Sequence, residues 1–287
     1  MVYDLIIIGS GPAGLAAAIY AARARLSFLV LEKMPLSGGQ ILNTYEVENY
    51  PGIPTIGGFE LGMKLREHAE HQGTEMIHIE VRHISLEEQG RIKVLYTDGK
   101  EYRARTVILA MGAKYRTLGI PGEKELTGMG VSYCATCDGA FFRGRKVAVA
   151  GGGDVAAEDA LFLARGCEKV YLIHRRDQLR AAGVLQEKLR AAENVELVWN
   201  TEVTRVNGEE HVEIIGTRKK DGTEQLLEVD GLFIAVGNLP QTELVAKLLQ
   251  LDETGYIPAG ENCVTELPGV FAAGDIRTKQ LRQVVTA

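Results

Sequence analysis

The sequence of 287 residues predicts an α/β fold built from two similar domains, one of them inserted in the other. Two observations carry this prediction. A short apolar segment followed by a glycine-rich turn and an alanine-rich segment occurs twice along the chain. Each copy is then followed by three short strand-like segments with glycine-containing turns and by one more apolar segment. The pattern indicates an internal duplication.

The first copy begins with residues 4–8, an apolar run of the length expected for a buried parallel strand. The turn after it places glycines where they allow a tight turn, a close approach to a pyrophosphate and packing of helix 15–24 on the strand. A strand at 26–31 ends in Glu32, whose carboxylate can accept hydrogen bonds from ribose hydroxyls. This copy therefore predicts a site for an adenosine with a free 2′-hydroxyl, such as that of FAD. The turn reads Gly9-Ser10-Gly11-Pro12-Ala13-Gly14.

The second copy has a strand at 146–150, a glycine-rich turn, a helix at 154–164 and a strand at 169–173. At the position of Glu32 it carries His174, followed by Arg175 and Arg176, with Arg180 beyond them. Guanidinium groups bind phosphates through charge-assisted hydrogen bonds, whereas a carboxylate would repel them. The second site thus suits NADPH, although the same residues could form a solvated charged run. Both copies together predict Rossmann-like, three-layer ββα nucleotide-binding domains.

A pair of cysteines, Cys134 and Cys137, lies just before the second copy. A Cys-x-x-Cys pair serves dithiol redox chemistry or forms half of a zinc site, and the sequence has no second ligand pair for zinc. The remaining cysteines, Cys167 and Cys263, stand alone and are expected to be non-catalytic. Asp138 follows the pair and is a candidate for proton transfer during thiol–disulfide exchange. It could equally be a turn residue before Gly139.

These features together resemble the low-molecular-weight, bacterial-type thioredoxin reductases, class II of the pyridine nucleotide-disulfide oxidoreductases, over essentially the whole chain. The resemblance rests on Ser132-Tyr133-Cys134-Ala135-Thr136-Cys137-Asp138-Gly139, the Gly151 turn with Glu158, His174-Arg175-Arg176 with Arg180, Ser37-Gly38-Gly39-Gln40, Glu46-Val47-Glu48-Asn49-Tyr50-Pro51-Gly52, and Phe271-Ala272-Ala273-Gly274-Asp275 followed by Arg282-Gln283.

The resemblance implies a homodimeric enzyme, a thioredoxin-disulfide reductase, that passes electrons from NADPH through FAD and the cysteine pair to thioredoxin or a thioredoxin-like protein. It implies that Cys137 faces the flavin, that Cys134 attacks the partner's disulfide and that Asp138 acts as acid and base. The FAD contacts that it implies are Gly9, Ser10, Gly11, Pro12, Ala13, Gly14, Glu32, Lys33, Gly39, Gln40, Asn49, Val81, Gly112, Gly274, Asp275, Arg282, Gln283 and Val284. The NADPH contacts are Gly151, Gly153, Asp154, Val155, Glu158, His174, Arg175, Arg176, Arg180 and Gly237.

The predicted FAD-binding domain is discontinuous, with residues 1–112 and 240–287, and the NADPH-binding domain with the cysteine pair spans residues 113–239. Crossovers are expected near 113–118 and 237–243. In the first domain we predict a helix at 61–70 and strands at 75–86, 92–96, 102–105 and 106–110. In the second we predict strands at 202–207, 211–217, 224–228 and 231–236.

The sequence departs from the family pattern at three places. Val155 stands where family members usually carry Ser or Thr, and Met111 replaces the usual Thr before Gly112. Residues 283–287 are predicted to begin a helix of about 10–14 residues, through which family members continue.

Composition agrees with a globular enzyme: 46% of the residues are hydrophobic, 24% are charged, and the net charge is −6. That charge argues against binding of nucleic acid. No metal, no membrane span and no signal peptide are expected, which favours the cytoplasm.

Other activities with the same cofactor remain open. They include a peroxiredoxin-linked reductase, for which Met1 lies unexpectedly close to the first strand, a ferredoxin-fed reductase and a thiol oxidase that uses O₂. A non-enzymatic, nucleotide-sensing redox switch is the alternative from another class.

Overall fold

We describe the protein from a computed structural model, which covers residues 1–44 and 47–287 and, at Asn43, the backbone alone. Glu46 of the family motif lies outside the described residues. The chain forms two compact units. The first contains Met1–Thr44, Tyr50–Lys114 and Leu239–Ala287, and the second contains Tyr115–Asn238 with the described part of segment 45–49.

In each half of the chain, strands first alternate with helices and a run of consecutive strands then follows. Up to the redox pair they are β1 (Val2–Ile8), α1 (Pro12–Arg23), β2 (Phe28–Glu32), α2 (Gly58–His71), β3 (Met76–His78), β4 (Val81–Glu87), β5 (Ile92–Thr97), β6 (Glu101–Leu109), β7 (Ala113–Tyr115), β8 (Val131–Ser132) and α3 (Ala135–Asp138). The rest are β9 (Lys146–Gly151), α4 (Asp154–Ala164), β10 (Lys169–Ile173), α5 (Gly183–Ala191), β11 (Val195–Val198), β12 (Thr201–Asn207), β13 (Ile214–Lys219), β14 (Glu224–Glu228), β15 (Gly231–Ala235), β16 (Asn238–Pro240) and β17 (Val270–Ala272).

The first unit is built on a seven-stranded sheet in the order β3-β2-β1-β6-β5-β4, with β17 also paired to β6. Strand β1 is central and parallel to both β2 and β6. Ile6 and Ile7, which point to opposite faces of the sheet, are both fully buried. Burial on two faces explains why this strand is a continuous apolar run in the sequence.

Two strand predictions for this sheet were wrong. The single strand predicted at 75–86 is two strands, because β3 extends the parallel sheet beside β2 whereas β4 pairs antiparallel with β5. Conversely, the strands predicted at 102–105 and 106–110 are one strand, β6. Its first half pairs antiparallel with β5, at Ala104 and Lys93, and its second half pairs parallel with β17, at Val107 and Val270. A change of partner leaves no mark in the hydrophobic pattern of one strand.

The second unit contains a five-stranded parallel sheet in the order β11-β10-β9-β15-β8 and a separate three-stranded antiparallel sheet, β12-β13-β14. Val147 and Val149 on β9 are fully buried between flanking layers. The strand predicted at 211–217 begins three residues later, at Ile214, because His211 and Val212 belong to the connection. There the Val212 amide donates to the Met129 carbonyl.

Strands β7 and β16, at the predicted crossovers, pair with each other in a two-stranded sheet. Within the described ranges, no helix has the length and apolar character needed to cross a membrane.

Candidate functional site

The cysteine pair forms a disulfide between Cys134 and Cys137 at the beginning of α3. Cys134 has extended backbone angles and is the residue before the helix, and its carbonyl accepts hydrogen bonds from the amides of Cys137 and Asp138. This single turn of helix brings the two Cα atoms to 5.3 Å. Both residues are half-buried. Cys167 is buried and Cys263 is half-buried, each as a free thiol.

The Asp138 carboxyl lies at the end of the same turn. Its Oδ2 accepts a hydrogen bond of 2.6 Å from the Ser132 hydroxyl, while Oδ1 is buried and has no hydrogen-bond partner among the described residues. Burial raises the pKa of this carboxyl, and the hydrogen bond from Ser132 opposes that effect. A carboxyl with a raised pKa takes up a proton more readily than an exposed one, as proton transfer in disulfide exchange requires.

Asp138 also lies at a change of direction in the chain, because it ends α3 and directly precedes a 3₁₀ turn at Gly139–Phe142. Gly139 has a φ of −61°, an ordinary right-handed helical angle, so no left-handed turn is present there. Gly139 instead allows close packing, because a Cβ at this position would lie 3.0 Å from the side chain of Leu163 on α4.

A cavity of about 670 Å³ opens beside the second glycine-rich turn, entirely within the second unit. Gly151 and Gly152 line it. A Cβ at Gly152 would lie 2.2 Å from the ring of His174, whereas nothing lies within 4 Å of one at Gly153. One glycine is therefore needed for packing against the protein and the other leaves open space for a ligand.

Four guanidinium groups without ion pairs line this cavity. Arg175 and Arg180 are predicted NADPH contacts, whereas Arg116 and Arg218 on β13 were not indicated by the sequence. None of the four makes an ion pair within the part of the chain that the structure covers. Arg176 is exposed and is not one of the lining residues. The cavity is thus suited to an anionic nucleotide.

The remaining NADPH contacts predicted in this unit divide into packed and exposed residues. His174 is only 7% exposed, and burial lowers the pKa of its ring, which lies edge-on to Trp199. The Asp154 carboxylate accepts a hydrogen bond of 2.7 Å from the Ala182 amide and thereby fixes the chain that follows Arg180. At the start of α4, the side chains of Val155 and Glu158 are exposed to solvent. The predicted contact Gly237 has a φ of 106°.

The loop from Leu118 to Pro121 also lines the cavity, and sequence reasoning missed its support. The buried Glu123 carboxylate accepts hydrogen bonds from the amides of Leu118, Gly119 and Ile120 at 3.0, 2.7 and 3.2 Å. It also accepts a hydrogen bond of 2.7 Å from the Tyr133 hydroxyl. Glu123 is only 3% exposed. Burial raises the pKa of the Tyr133 hydroxyl, so it stays a donor. No short motif marks such a carboxylate.

The first glycine-rich turn packs closely on β1 and α1. Gly9 has a φ of 104°, and a Cβ at Gly14 would lie 1.9 Å from the Gly9 carbonyl oxygen, so neither position admits a larger residue without strain. Glu32 accepts hydrogen bonds from the Ser10 amide at 2.6 Å and the Ser10 hydroxyl at 2.9 Å. The predicted ribose-binding carboxylate is therefore positioned at the turn. Pro12 and Ala13 begin helix α1 there.

The end of β17 meets this turn from the other side. Gly274 has a φ of 75°, and a Cβ there would lie 2.8 Å from the Cβ of Ala13, so Gly274 and Asp275 adjoin the start of α1. Burial raises the pKa of Asp275, whose Oδ1 lies 3.6 Å from Nζ of Lys279, a side chain only 5% exposed. Sequence reasoning also missed Tyr256, whose ring lies 4.4 Å beneath the Arg282 guanidinium.

Six buried polar atoms of the first unit have no hydrogen-bond partner among the described residues. Three of them belong to predicted FAD contacts, namely Gln40 Oε1, Asp275 Oδ1 and Arg282 Nε, and the others are Thr74 Oγ1, Arg103 Nε and Arg277 Nε. A buried polar atom without a hydrogen-bond partner is costly unless a ligand supplies one. Gly112 has a φ of 67° and open space around its Cα. The unit thus offers a cradle with free donors and acceptors.

Some predicted FAD contacts are not brought to this cradle by any described interaction. Val81 is buried in the apolar core of the first unit, and Asn49 is exposed and belongs to the second unit. Lys33 donates to Gln241 at 2.8 Å, and Gln241 in turn donates to the Met111 carbonyl at 2.7 Å. The roles of these residues stay predictions, as do those of Gly39, Gln283 and Val284. The helix predicted from 283 is a single 3₁₀ turn, Val284–Thr286, within the chain.

Among the described residues no cluster of three or more His, Cys, Asp or Glu side chains is placed to hold a metal ion. The Met111 side chain packs against the apolar core of the first unit, which accounts for its replacement of Thr. Nothing in the structure explains Val155, which is 59% exposed.

Comparison with known proteins gives matches over the full length. A family model described as pyridine nucleotide-disulphide oxidoreductase matches residues 3–287. Proteins named thioredoxin reductase from Bacillus subtilis and Peptoclostridium litorale are 46% and 47% identical, over all of this chain and 90% and 92% of theirs. A solved thioredoxin reductase from Streptococcus pyogenes superposes with a TM-score of 0.93 at 44% identity, covering 99% of this chain and 93% of that one.

Proposed function

This chain belongs to the pyridine nucleotide-disulphide oxidoreductase family, and we propose that it is a thioredoxin reductase that passes electrons from NADPH through FAD and the Cys134–Cys137 disulfide to thioredoxin. One observation carries the proposal: a disulfide stands at the start of α3 in the same unit as an arginine-lined nucleotide cavity. The alternatives of another electron acceptor, another donor or a non-enzymatic switch are not favoured, because the full-length relatives named above are thioredoxin reductases.

We assign FAD to the first unit. The glycine turn at Gly9–Gly14 would hold its pyrophosphate, and Glu32 would hold its ribose. The atoms of Gln40, Asp275 and Arg282 that lack a hydrogen-bond partner support this assignment, because FAD offers hydrogen-bond donors and acceptors along its length. The fit of these residues to FAD is therefore good.

We assign NADPH to the second unit. The start of α4 would receive its pyrophosphate. Arg175 and Arg180 would bind the 2′-phosphate, with Arg176 as the third predicted contact. Arg116 and Arg218 are further cations of the cavity that the sequence did not indicate. The open space at Gly153 and the unpaired guanidinium groups of the cavity support this assignment.

FAD, held by the Gly9–Gly14 turn and Glu32, would supply the redox chemistry that links the two electrons of NADPH to the disulfide. The protein's own contribution is the cysteine pair and its proton carrier. The Cys134–Cys137 bond breaks on reduction, and Cys134 then attacks the disulfide of thioredoxin to give a mixed disulfide. Cys137 attacks Cys134, the original bond forms again and thioredoxin leaves as a dithiol. Asp138 takes up and returns the protons that accompany these exchanges.

We further propose that the enzyme works as a homodimer in the cytoplasm. The support is the resemblance to relatives of this family. Size-exclusion chromatography with light scattering tests the first statement, and cell fractionation tests the second.

The proposed function is tested with Cys137→Ser and, as a matched control, Cys263→Ser, whose half-buried thiol lies far along the chain from the pair. Each purified holoenzyme is assayed for NADPH oxidation coupled to reduction of oxidised thioredoxin. We expect Cys137→Ser to abolish thioredoxin reduction while NADPH still bleaches the flavin absorbance, and Cys263→Ser to keep full activity. A colourless unmutated protein, or one that leaves thioredoxin oxidised, would overturn the proposal.

A further inference from the structure

The Ser132 hydroxyl joins the redox pair to its acid. It lies in β8, is 4% exposed, and donates to Asp138 Oδ2 at 2.6 Å. The Ser132 oxygen also accepts a hydrogen bond of 3.1 Å from the backbone amide of Cys134. The hydroxyl thus lies between the backbone of one reacting cysteine and the carboxylate beside the other. Its second acceptor, the Cys134 carbonyl, is farther away at 3.3 Å.

The hydrogen-bond donors around Asp138 determine which of its two oxygens accepts a hydrogen bond and which can be protonated. A serine hydroxyl has one proton, and here the short contact to Oδ2 uses it. The Cys134 amide donates to the same oxygen atom of Ser132 and so favours this direction of donation. Oδ2 is therefore held as an acceptor. Oδ1, which is buried and has no described partner, is the oxygen left to carry a proton.

We propose that Ser132 is a positioning residue for disulfide exchange, which holds Asp138 so that Oδ2 stays an acceptor and Oδ1 carries the mobile proton. This inference rests on the proposed function. It adds a residue to which neither the sequence motif nor the comparisons give a role.

One proton-carrying oxygen on Asp138 is sufficient for the protons and electrons of the exchange to balance. The Cys134 thiol gives its proton to Oδ1 and forms a bond to one sulfur of the partner's disulfide, and the other partner sulfur leaves and takes that proton. The Cys137 thiol then gives its proton to Oδ1 and bonds to Cys134, and the second partner sulfur leaves with that proton. Two electrons and two protons pass from the pair to the partner, and Asp138 ends unchanged.

Other titratable groups near Asp138 do not account for its behaviour. Helix α4, which packs against α3, carries the carboxyl groups of Asp154, Glu158 and Asp159, and Tyr133 precedes the pair on the chain. The pKa of Asp138 is raised by burial and lowered by the Ser132 hydrogen bond, with no contribution from any of these groups. Loss of the Ser132 hydroxyl is therefore expected to raise the pKa of Asp138 further.

The test compares Ser132→Ala, Ser132→Val and Ser132→Thr in the FAD-loaded protein. The pair is reduced with dithiothreitol, and its rate of reaction with bis(2-hydroxyethyl) disulfide is followed against pH, with oxidised thioredoxin as a second substrate. For the Ala and Val variants, which lack the hydroxyl, we expect the acid limb of both profiles to move up by about 1–2 pH units, the effect of one hydrogen bond to a charged group. Ser132→Thr, which keeps the hydroxyl, is expected to restore the limb.

The outcomes separate the two proposals. The role of Ser132 would be overturned if the acid limb were unshifted in both the Ala and Val variants. It would also be overturned if the limb of Ser132→Thr were displaced as far as theirs while the melting temperatures were equal. If one of the Ala and Val variants fails to fold, the other decides. An unmutated protein that reduces the small disulfide but not thioredoxin would refute the proposed partner and leave the Ser132 test valid.

Discussion

Replacing Glu123 by glutamine is expected to destabilise the second unit and to weaken nucleotide binding together. Oε2 accepts the amides of Gly119 and Ile120, and Oε1 accepts the amide of Leu118 and the hydroxyl of Tyr133. A glutamine can turn its oxygen toward only one of these pairs. If the oxygen faces Gly119 and Ile120, the amide nitrogen faces the Leu118 N–H, and that buried donor loses its partner.

The magnitude follows from the bonds lost. Hydrogen bonds to a charged group contribute about 1.5–3 kcal/mol each, and a buried donor without a partner costs a similar amount. Tyr133 can reverse its hydroxyl and accept from the new amide, which limits the loss. We therefore expect Glu123→Gln to lower the free energy of unfolding by about 3 kcal/mol. Tyr133→Phe, which removes one bond, is expected to cost about half as much.

Urea denaturation followed by tryptophan fluorescence measures this effect. The protein has a single tryptophan, Trp199, which packs in the second unit against His174, so its emission reports on that unit. Glu125→Gln is the matched control, because Glu125 is exposed two residues away. The Kd for NADPH is expected to rise with the loss of loop order at Leu118–Ile120. Equal unfolding midpoints for Glu123→Gln and Glu125→Gln would refute the reasoning.

Three further predictions concern charge and close packing. Burial, with a smaller contribution from a neighbouring glutamate, raises the pKa of Asp159 to about 7 from 3.8, so its contribution to stability is present below pH ~4 and is lost as the pH rises through about 7. Asp159→Asn is thus expected to stabilise the protein by up to about 4 kcal/mol in urea melts at pH 8 and to change little at pH 4, and equal effects at both values would contradict this. Arg218→Gln is expected to raise the Kd for NADPH about tenfold or more in calorimetric titrations and to leave NADH binding nearly unchanged. Lys219 lies on the opposite face of the same strand, so Lys219→Gln is expected to change neither Kd. An equal loss of NADPH affinity in the Lys219 variant would argue against a site at Arg218. Gly14→Ala places a Cβ 1.9 Å from the Gly9 carbonyl oxygen and is expected to separate α1 from β1. The purified variant is therefore expected to contain little FAD. A normal flavin-to-protein ratio would show that the turn tolerates the methyl group.

Local sequence patterns predicted the elements that are buried on both faces or begin with a glycine-rich turn. Strand β10 has the predicted bounds of 169–173, and α4 has those of 154–164. Each of these elements repeats an apolar pattern with the period of its own structure. The predictions failed where one strand changes partner, as β6 does at Arg105. There the buried Lys93 ammonium donates to the Arg105 carbonyl at 3.0 Å, near the change from β5 to β17, and no pattern in either strand marks that contact.

The position of the redox pair, the two glycine-rich turns and the contrast between Glu32 and the arginines after β10 could be read from residue order, because each depends on neighbours within one strand–turn–helix segment. The cavity cation Arg218, the carboxylate of Glu123 and the hydroxyl of Ser132 could not. Their roles depend on distances between segments that lie far apart along the chain or on which of two oxygens faces which donor. Local chemistry thus determined which cofactors and which cysteines are involved, and tertiary packing alone decided which buried groups hold them in place.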